Sequence, residues 1–412
     1  MARFSEVFKS LDLETALDRS LDASPSDVER ILKQGQARSL FDFAALLSPA
    51  AEPFLESMCR LSSAITQRHF GKTMRMFAPL YLSNECVNIC KYCGFSRHND
   101  IPRITLDFEE VEREADLLRK QGFRSILLVA GEHPKYVSNG YVEETVRRLA
   151  RKFPSIALEL GPLEADGYQP LVDAGCEALI VYQETYHEST YRSLHTAGPK
   201  KHFHWRMDTA ERAYDAGFRR LGIGALFGLH DWRCEALALA AHAQHLLRTC
   251  WKAQVNLSLP RMRPAAGEFE QVEFLKDHHF AQTLAALRIF APHVGLTLST
   301  REPPALRDGL IPLGITSMSA GSCTEPGGYS GFDETNFTPS ESQPGEQFSI
   351  ADERPPSEVA RSLLKRGYEP VWKDFDQSLI GPTDAPHSPG ADSNPTAEAG
   401  TGAQRLNPVG TE

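Results

Sequence analysis

Three cysteines stand close together as Cys86-Val-Asn-Ile-Cys90-Lys-Tyr92-Cys93, a C-x3-C-x2-C spacing. Three thiolates on one short loop can each reach a different iron of a [4Fe–4S] cubane. Intervals this short let the chain wrap the cluster at a few Å per residue. Three ligands for four irons leave one iron open, and an open metal position binds and activates a ligand. An electron carrier fills that position with another cysteine, and none follows nearby. Two other readings of the loop are a structural zinc site with His98 as fourth ligand and a group of inert thiols. Structural zinc usually draws on paired C-x2-C hooks, which this segment lacks.

The chain around the loop is large and soluble in character. It has 412 residues, 41% of them hydrophobic, and a net charge of −10 with no long Lys/Arg block. That charge argues against nucleic acid as the main partner. No run approaches the ~20 apolar residues that cross a bilayer, and Met1–Ser5 opens without an apolar signal core. The expectation is a cytoplasmic protein without a membrane partner. Eight cysteines occur. In a large cytosolic chain they stay reduced, so only the cluster at 86–93 signals metal chemistry. Cys59, Cys176, Cys234 and Cys250 sit among apolar neighbours and read as buried small hydrophobes. Cys323, in a glycine-rich turn, has no assigned role.

Residues 1–72 read as helices, with apolar residues at helical spacing in Val28, Ile31, Leu32 and in Phe54, Leu55, Met58, Leu61. Ser26, with Glu29 three residues on, is the expected cap of the first of these. From about residue 76 strand-like runs alternate with amphipathic helices. The runs are 77–82, 125–130, 155–160, 178–183, 219–225, 253–259, 293–299 and about 314–320. Helices are expected at 107–120, 141–152, 206–217, 233–250 and 278–291, the first capped by Asp107 with Glu110 and ended by Gly122. Near-continuous apolar strands separated by helices predict a parallel sheet covered on both faces, and eight of them fit a (β/α) barrel of TIM-like form. The barrel occupies 73–330, and the cysteine loop follows its first strand, at the end where barrels carry chemistry. Residues 331–380 are expected to close the barrel with a loop (333–357), a helix capped by Ser357 and a strand at 369–372. Residues 381–412 are too poor in large apolar side chains to order themselves and read as a disordered tail.

The C-x3-C-x2-C loop, with an aromatic before its last cysteine, resembles the radical S-adenosylmethionine (SAM) superfamily. That resemblance implies a [4Fe–4S] cluster on Cys86, Cys90 and Cys93 whose open iron takes the amino and carboxylate groups of SAM. It also implies that Gly131-Glu132, directly after the second strand, holds the SAM amino group, and that Gly222 and Gly224 in the fifth strand pack the adenine. Tyr92 is placed beside the cofactor. Glycines in a strand also mark any close backbone approach, so the fifth-strand motif alone is weak.

Within the superfamily the chain resembles the tyrosine lyases of thiamine thiazole formation. The residues that carry this are 128–133 (LVAGEH), 181–188 (VYQETYHE), 203–206 (FHWR), 260–264 (PRMRP), 298–302 (LSTRE), 326–329 (PGGY) and 371–374 (VWKD). The resemblance implies cleavage of the Cα–Cβ bond of L-tyrosine to 2-iminoacetate and p-cresol. It further implies transfer of the imine to a thiazole synthase, ThiG, and electrons from a flavodoxin- or ferredoxin-type donor. The tyrosine lyase of hydrogenase maturation shares much of the pattern but adds a C-terminal cysteine motif, and no cysteine follows Cys323 here. A deazaflavin-forming synthase is the other aromatic-amino-acid alternative. An amino-acid carboxylate wants an arginine fork. Arg301, beside Ser299 and Thr300 at the end of the seventh strand, is the first choice, with Arg261 and Arg263 as competitors. Gln183 and Glu184 are expected to hold SAM or the substrate amine, with His133 and His187 as candidates for proton transfer.

Overall fold

The computed structural model describes residues 2–267, 269, 273–331 and 345–373. Eight parallel strands form a closed barrel: β1 (Thr73–Ser83), β2 (Ser125–Ala130), β3 (Ser155–Glu159), β4 (Ala178–Ile180), β5 (Arg220–Gly224), β6 (Gln254–Ser258), β7 (Gly295–Leu298) and β8 (Ser317–Ser319). Closure comes from β1, which pairs with β2 over Ala78–Ser83 and with β8 over Arg75–Phe77. A ninth strand, β9 (Glu369–Val371), lies parallel to the start of β1, at Thr73–Arg75.

Successive side chains of a strand point to opposite faces, and here both faces are buried. Leu127, Val129, Ala157 and Ala178 pack with Tyr81 and Phe95 in one apolar group. Their neighbours Ile126, Leu128, Ile156, Leu158 and Leu179 join the larger core under the helices. This two-sided burial is the physical reason why the strands read as unbroken apolar runs rather than as alternation.

The helices form where amphipathic spacing and caps coincide. Helix Phe108–Lys120 starts at a capping box between Asp107 and Glu110, and Gly122 follows its end at a φ of +104°. The stretch expected as one helix over 206–217 is two, Phe203–Met207 and Thr209–Asp215. Asp208 between them has left the α region and accepts hydrogen bonds from the Ser5 backbone and hydroxyl at 2.8 and 2.7 Å. In helix Pro25–Gln34 the cap is Ser24 with Asp27, two residues earlier than Ser26 with Glu29, because Pro25 suits the first helical residue. Ser357 likewise lies inside helix Pro356–Lys365, whose cap is Pro355.

The helices before β1 lie on the outer helices of the barrel. Phe4 stacks on His242 at 4.1 Å, Phe43 meets Phe290 at 5.2 Å, and Gln282 donates to the Leu46 and Ser48 carbonyls. Cys176, Cys250 and Cys323 are buried, whereas Cys59 and Cys234 are only partly so. Residues 345–352 differ most from the expected surface loop. They cross the barrel mouth as a strap, with Gln347 N–H bonded to Thr324 O, Gly94 N–H to Gln347 O, and Ala351 and Asp352 N–H to Thr300 O. Asp352 has no exposed side-chain surface and is paired with Arg307 and Arg354. The tail expected at 381–412 and residues 333–344 of the loop expected at 333–357 fall outside the described residues. No described helix is long and apolar enough to cross a membrane.

Candidate active site

The cysteine loop leaves the C-terminal end of β1 and is held by its own polar residues. The Arg103 guanidinium donates to the carbonyls of Asn84, Phe95, Ser96 and Asn99 at 2.7–3.0 Å. Asn99 donates to the carbonyls of Cys93 and Gly94. Ile89–Cys90 pairs with His195–Ala197 as a two-stranded ribbon. Gly131 has no room for a Cβ, which would run into Glu85 O and the Cβ of Cys86. That glycine therefore lets the loop lie directly across the end of β2.

Cys86, Cys90 and Cys93 are all free thiols and line one cavity, together with Glu132, Glu159, Tyr182, Glu184, Lys200 and Arg206. Their sulfurs do not all lie within 4.8 Å of one another. Thiolates sharing one tetrahedral ion sit about 4 Å apart, given Zn–S bonds of about 2.3 Å. His98 is exposed. The donor set thus fits a polynuclear cluster, with each sulfur on its own iron, and not a single zinc. Burial pushes the Cys90 and Cys93 thiols above their usual range, so a bound cation is needed to favour the thiolate form.

Glu132 is positioned from two sides. Its carboxylate accepts from Asn88 Nδ2 at 2.6 Å, and Val87 N–H donates to its carbonyl at 2.8 Å. Gly161 leaves the space that this carboxylate occupies, since a Cβ there would meet it at 2.5 Å. Asn88 also accepts from the Lys200 backbone at 3.0 Å, linking the cysteine loop to the segment after β4.

Glu184 is the one described non-glycine residue with positive φ, at 72°. Such a conformation persists when its surroundings over-determine it. Leu226 N–H donates to its carbonyl at 2.7 Å, and Glu235 accepts from the Thr185 hydroxyl and the Tyr186 N–H. Its carboxylate accepts from Lys200 Nζ at 2.6 Å and lies 3.7 Å from Arg206. Burial alone would raise this carboxyl, but the two cations hold it below its usual range. Gln183 is buried behind it, with Nε2 donating to Phe203 O at 3.3 Å and Oε1 lacking a partner among the described residues.

A second cavity adjoins the first and shares Cys93, Glu159, Tyr182, Glu184, Lys200 and Gln347 with it. Arg301 lines only this second cavity, as does Arg263, whose Nε has no described partner. The strap stacks Phe348 on the Arg301 guanidinium, 3.3 Å from the ring centroid, and Gln347 accepts from the Tyr81 hydroxyl at 2.8 Å. Tyr92 lines the cavity too, and its hydroxyl bonds His195 Nε2 at 2.7 Å.

The remaining expected residues do not converge here. Arg261 is committed to Glu302, to Asp277 at 2.7 Å and to the Leu275 carbonyl, and it lines neither cavity. His133 lines neither site cavity itself but a mainly apolar one that adjoins the first, sharing Gly131, Glu132, Leu160 and Gly161 with it, and packs on Tyr136. His187 stacks on His230 at 3.8 Å and bonds Thr190. Ser299 accepts from Arg301 N–H at 3.4 Å, and the Thr300 carbonyl anchors the strap, so both act on position rather than in the cavity. Gly222 and Gly224 lack room for a Cβ against Ile180 and against Tyr182 and Ser258, which makes them strand-packing glycines in this structure.

Three charged cavity residues escaped sequence reading. Glu159 closes β3 at the chemistry-bearing end, so the barrel rule alone could have found it. Arg206 lies in the Phe-His-Trp-Arg stretch without a role having been given to it. Lys200 stands in a loop of no recognisable pattern, and only the fold brings it to Glu184.

Residues 80–240 match the radical SAM superfamily, and residues 258–369 match the Biotin and Thiamin Synthesis associated domain. The 2-iminoacetate synthases of Escherichia coli (strain K12) and Salmonella typhimurium are each 40% identical to this chain, covering 92% of it and 98% of their own length. Among solved structures, the FeFe-hydrogenase maturase HydG from Carboxydothermus hydrogenoformans is similar, with a TM-score of 0.80 and 32% identity, over 90% of this chain and 86% of that one. A cysteine loop, barrel and strap of this form, at that identity over nearly the whole length, place the chain in the 2-iminoacetate synthase family of the radical SAM superfamily.

Proposed function

We propose that this chain cleaves the Cα–Cβ bond of L-tyrosine to 2-iminoacetate and p-cresol, with SAM converted to methionine and 5′-deoxyadenosine. The observation that supports it most is the join of two cavities, one lined by three free thiols and the next by a partly buried, stacked arginine. The reduced cluster with bound SAM supplies a hydrogen-abstracting adenosyl radical. The chain's own residues divide the remaining work.

Cys86, Cys90 and Cys93 are the cluster ligands in this reading. Glu132, aimed by Asn88 and given room by Gly161, accepts the SAM ammonium; a charge-assisted bond of this type is short and strong. Glu184, Lys200 and Arg206 form a fixed dipolar wall beside it, pre-set before any ligand enters. Arg301 receives the tyrosine carboxylate, its guanidinium held flat by Phe348 and positioned by Ser299 and Thr300. Arg263 stays as a second cation on the same cavity. The strap covers the mouth and keeps bulk water from a hydrolysable imine and from radicals.

A thiazole synthase (ThiG) receives the imine and a flavodoxin- or ferredoxin-type protein supplies the two electrons that each turnover consumes; family likeness is the support for both. An anaerobic assay with dithionite, SAM and tyrosine tests the reading. p-Cresol with glyoxylate, the hydrolysis product of the imine, is expected. Cyanide or carbon monoxide among the products would move the chain to the hydrogenase-maturation chemistry, and loss of SAM without p-cresol would end the tyrosine-lyase assignment.

A further inference from the structure

Glu159 is the last residue of β3 and lines both cavities of the site. Three described carboxylates border these spaces. Glu132 is taken by Asn88 and Glu184 by Lys200. Glu159 accepts no hydrogen bond from any described residue. The charged groups that act on it are Glu184, which opposes its ionisation, and Arg301, Lys200 and Arg206, which favour it; the Tyr81 and Tyr182 hydroxyls face the same space. Burial pushes its carboxyl up to about 7. Glu159 is partly exposed to the cavity, and an ionisable group held largely away from water without a partner is destabilising unless a ligand completes it.

The position of Glu159 relative to Arg301 says which ligand. Arg301 borders only the cavity that Cys93 alone of the three thiols lines, whereas Glu159 borders that cavity and the one lined by all three. An α-amino acid carries its ammonium and carboxylate on one carbon, so two opposite protein charges across a single cavity can hold both. We infer that Glu159 binds the ammonium of the substrate while Arg301 binds its carboxylate, a zwitterion clamp that turns the nitrogen toward the thiol-lined cavity. This rests on the tyrosine-lyase reading above, in which the hydrogen is removed from that nitrogen. The clamp makes the site specific for free α-amino acids, and it makes Glu159 the residue that selects for the amine.

Equilibrium binding to cluster- and SAM-loaded protein tests the clamp with two tyrosine analogues, each missing one charge. Wild-type protein is expected to prefer tyrosine over 3-(4-hydroxyphenyl)propanoate, which lacks the amine, and over tyramine, which lacks the carboxylate, each by about 10- to 100-fold. Glu159→Gln should bring tyrosine and the desamino analogue to within about threefold of each other while keeping the preference over tyramine. Arg301→Gln should do the reverse. Glu159→Asp, which keeps the charge, should restore part of the lost preference and serves in place of Glu159→Gln if that variant does not fold. A Glu159→Gln protein that still prefers tyrosine over the desamino analogue as strongly as wild type overturns the clamp. Wild-type holoenzyme that binds no tyrosine sinks the functional reading instead.

Discussion

The two ends of the barrel treat buried charge in opposite ways. At the N-terminal end Glu177 pairs with Arg220 and accepts from the Ser155 hydroxyl and Ile156 N–H at 2.7 and 2.8 Å, and Arg75 reaches Ser125 and Ser155. Those bonds are all made within the chain. At the C-terminal end Glu159 has no hydrogen-bond donor, Glu184 is held at a φ of +72°, and three thiols stand apart. A buried ionic group completed by the protein is structural, and one left incomplete is waiting for a ligand. The same strands build both ends, so the difference lies in which side chain each strand places at its end.

The largest effect should come from the thiols. Cys90→Ala is expected to leave a folded chain with little iron and to lower deoxyadenosine formation at least about 1000-fold, since no neighbouring ligand replaces the sulfur. Iron and sulfide analysis with a circular-dichroism spectrum checks it; normal deoxyadenosine yield from that variant would put the cluster elsewhere.

The opposite end should respond in stability. Glu177→Ala strands the Arg220 cation in a nearly solvent-free position, with Glu177 4% and Arg220 3% exposed. Breaking such a pair costs about 3–5 kcal/mol. Denaturant unfolding should show that loss, while the protein that remains folded keeps its affinity for tyrosine. A fall in tyrosine affinity without a fall in stability would mean that the two ends are not separable.

Arg301→Ala comes next. It should weaken tyrosine binding about 10- to 100-fold, the worth of a charged hydrogen-bonded contact, and leave iron content unchanged. Unaltered affinity would move the carboxylate to Arg263, the other arginine on that cavity.

The smallest effect is a pH dependence in ligand-free protein. The folded carboxyl of Glu159 titrates at about 7, above its ordinary 4.5, so the folded state keeps a proton that the unfolded state releases between those values. Stability therefore falls as pH rises through that window, by up to about 3 kcal/mol. Glu159→Gln should remove this fall and be the more stable protein above pH 7; parallel pH profiles for the two would show that Glu159 is not held in an unfavourable site.

Much of this was legible before folding. The barrel was readable because strands buried on both faces leave continuous apolar runs, and the thiol loop because its spacing is a local fact. Arg301 was readable from the end of its strand. The rest depended on side-chain commitments between distant segments. Arg261 and Arg263 look alike in sequence, yet Glu302 and Asp277 take the first and leave the second to the cavity. His133 and His187 stand next to site residues in sequence but point to other neighbours. Lys200 and the strap at 345–352 reach the mouth only through long-range packing, for which composition carries no signal.

The chemistry turns on three sulfurs holding a four-iron cluster with one iron free to take SAM. Electron paramagnetic resonance of the anaerobically reconstituted, dithionite-reduced protein, recorded before and after SAM is added, addresses that directly. The expected result is a [4Fe–4S]⁺ signal, near four irons per chain, whose g values shift when SAM binds. One zinc per chain, or a cluster signal that SAM leaves unchanged, would contradict it.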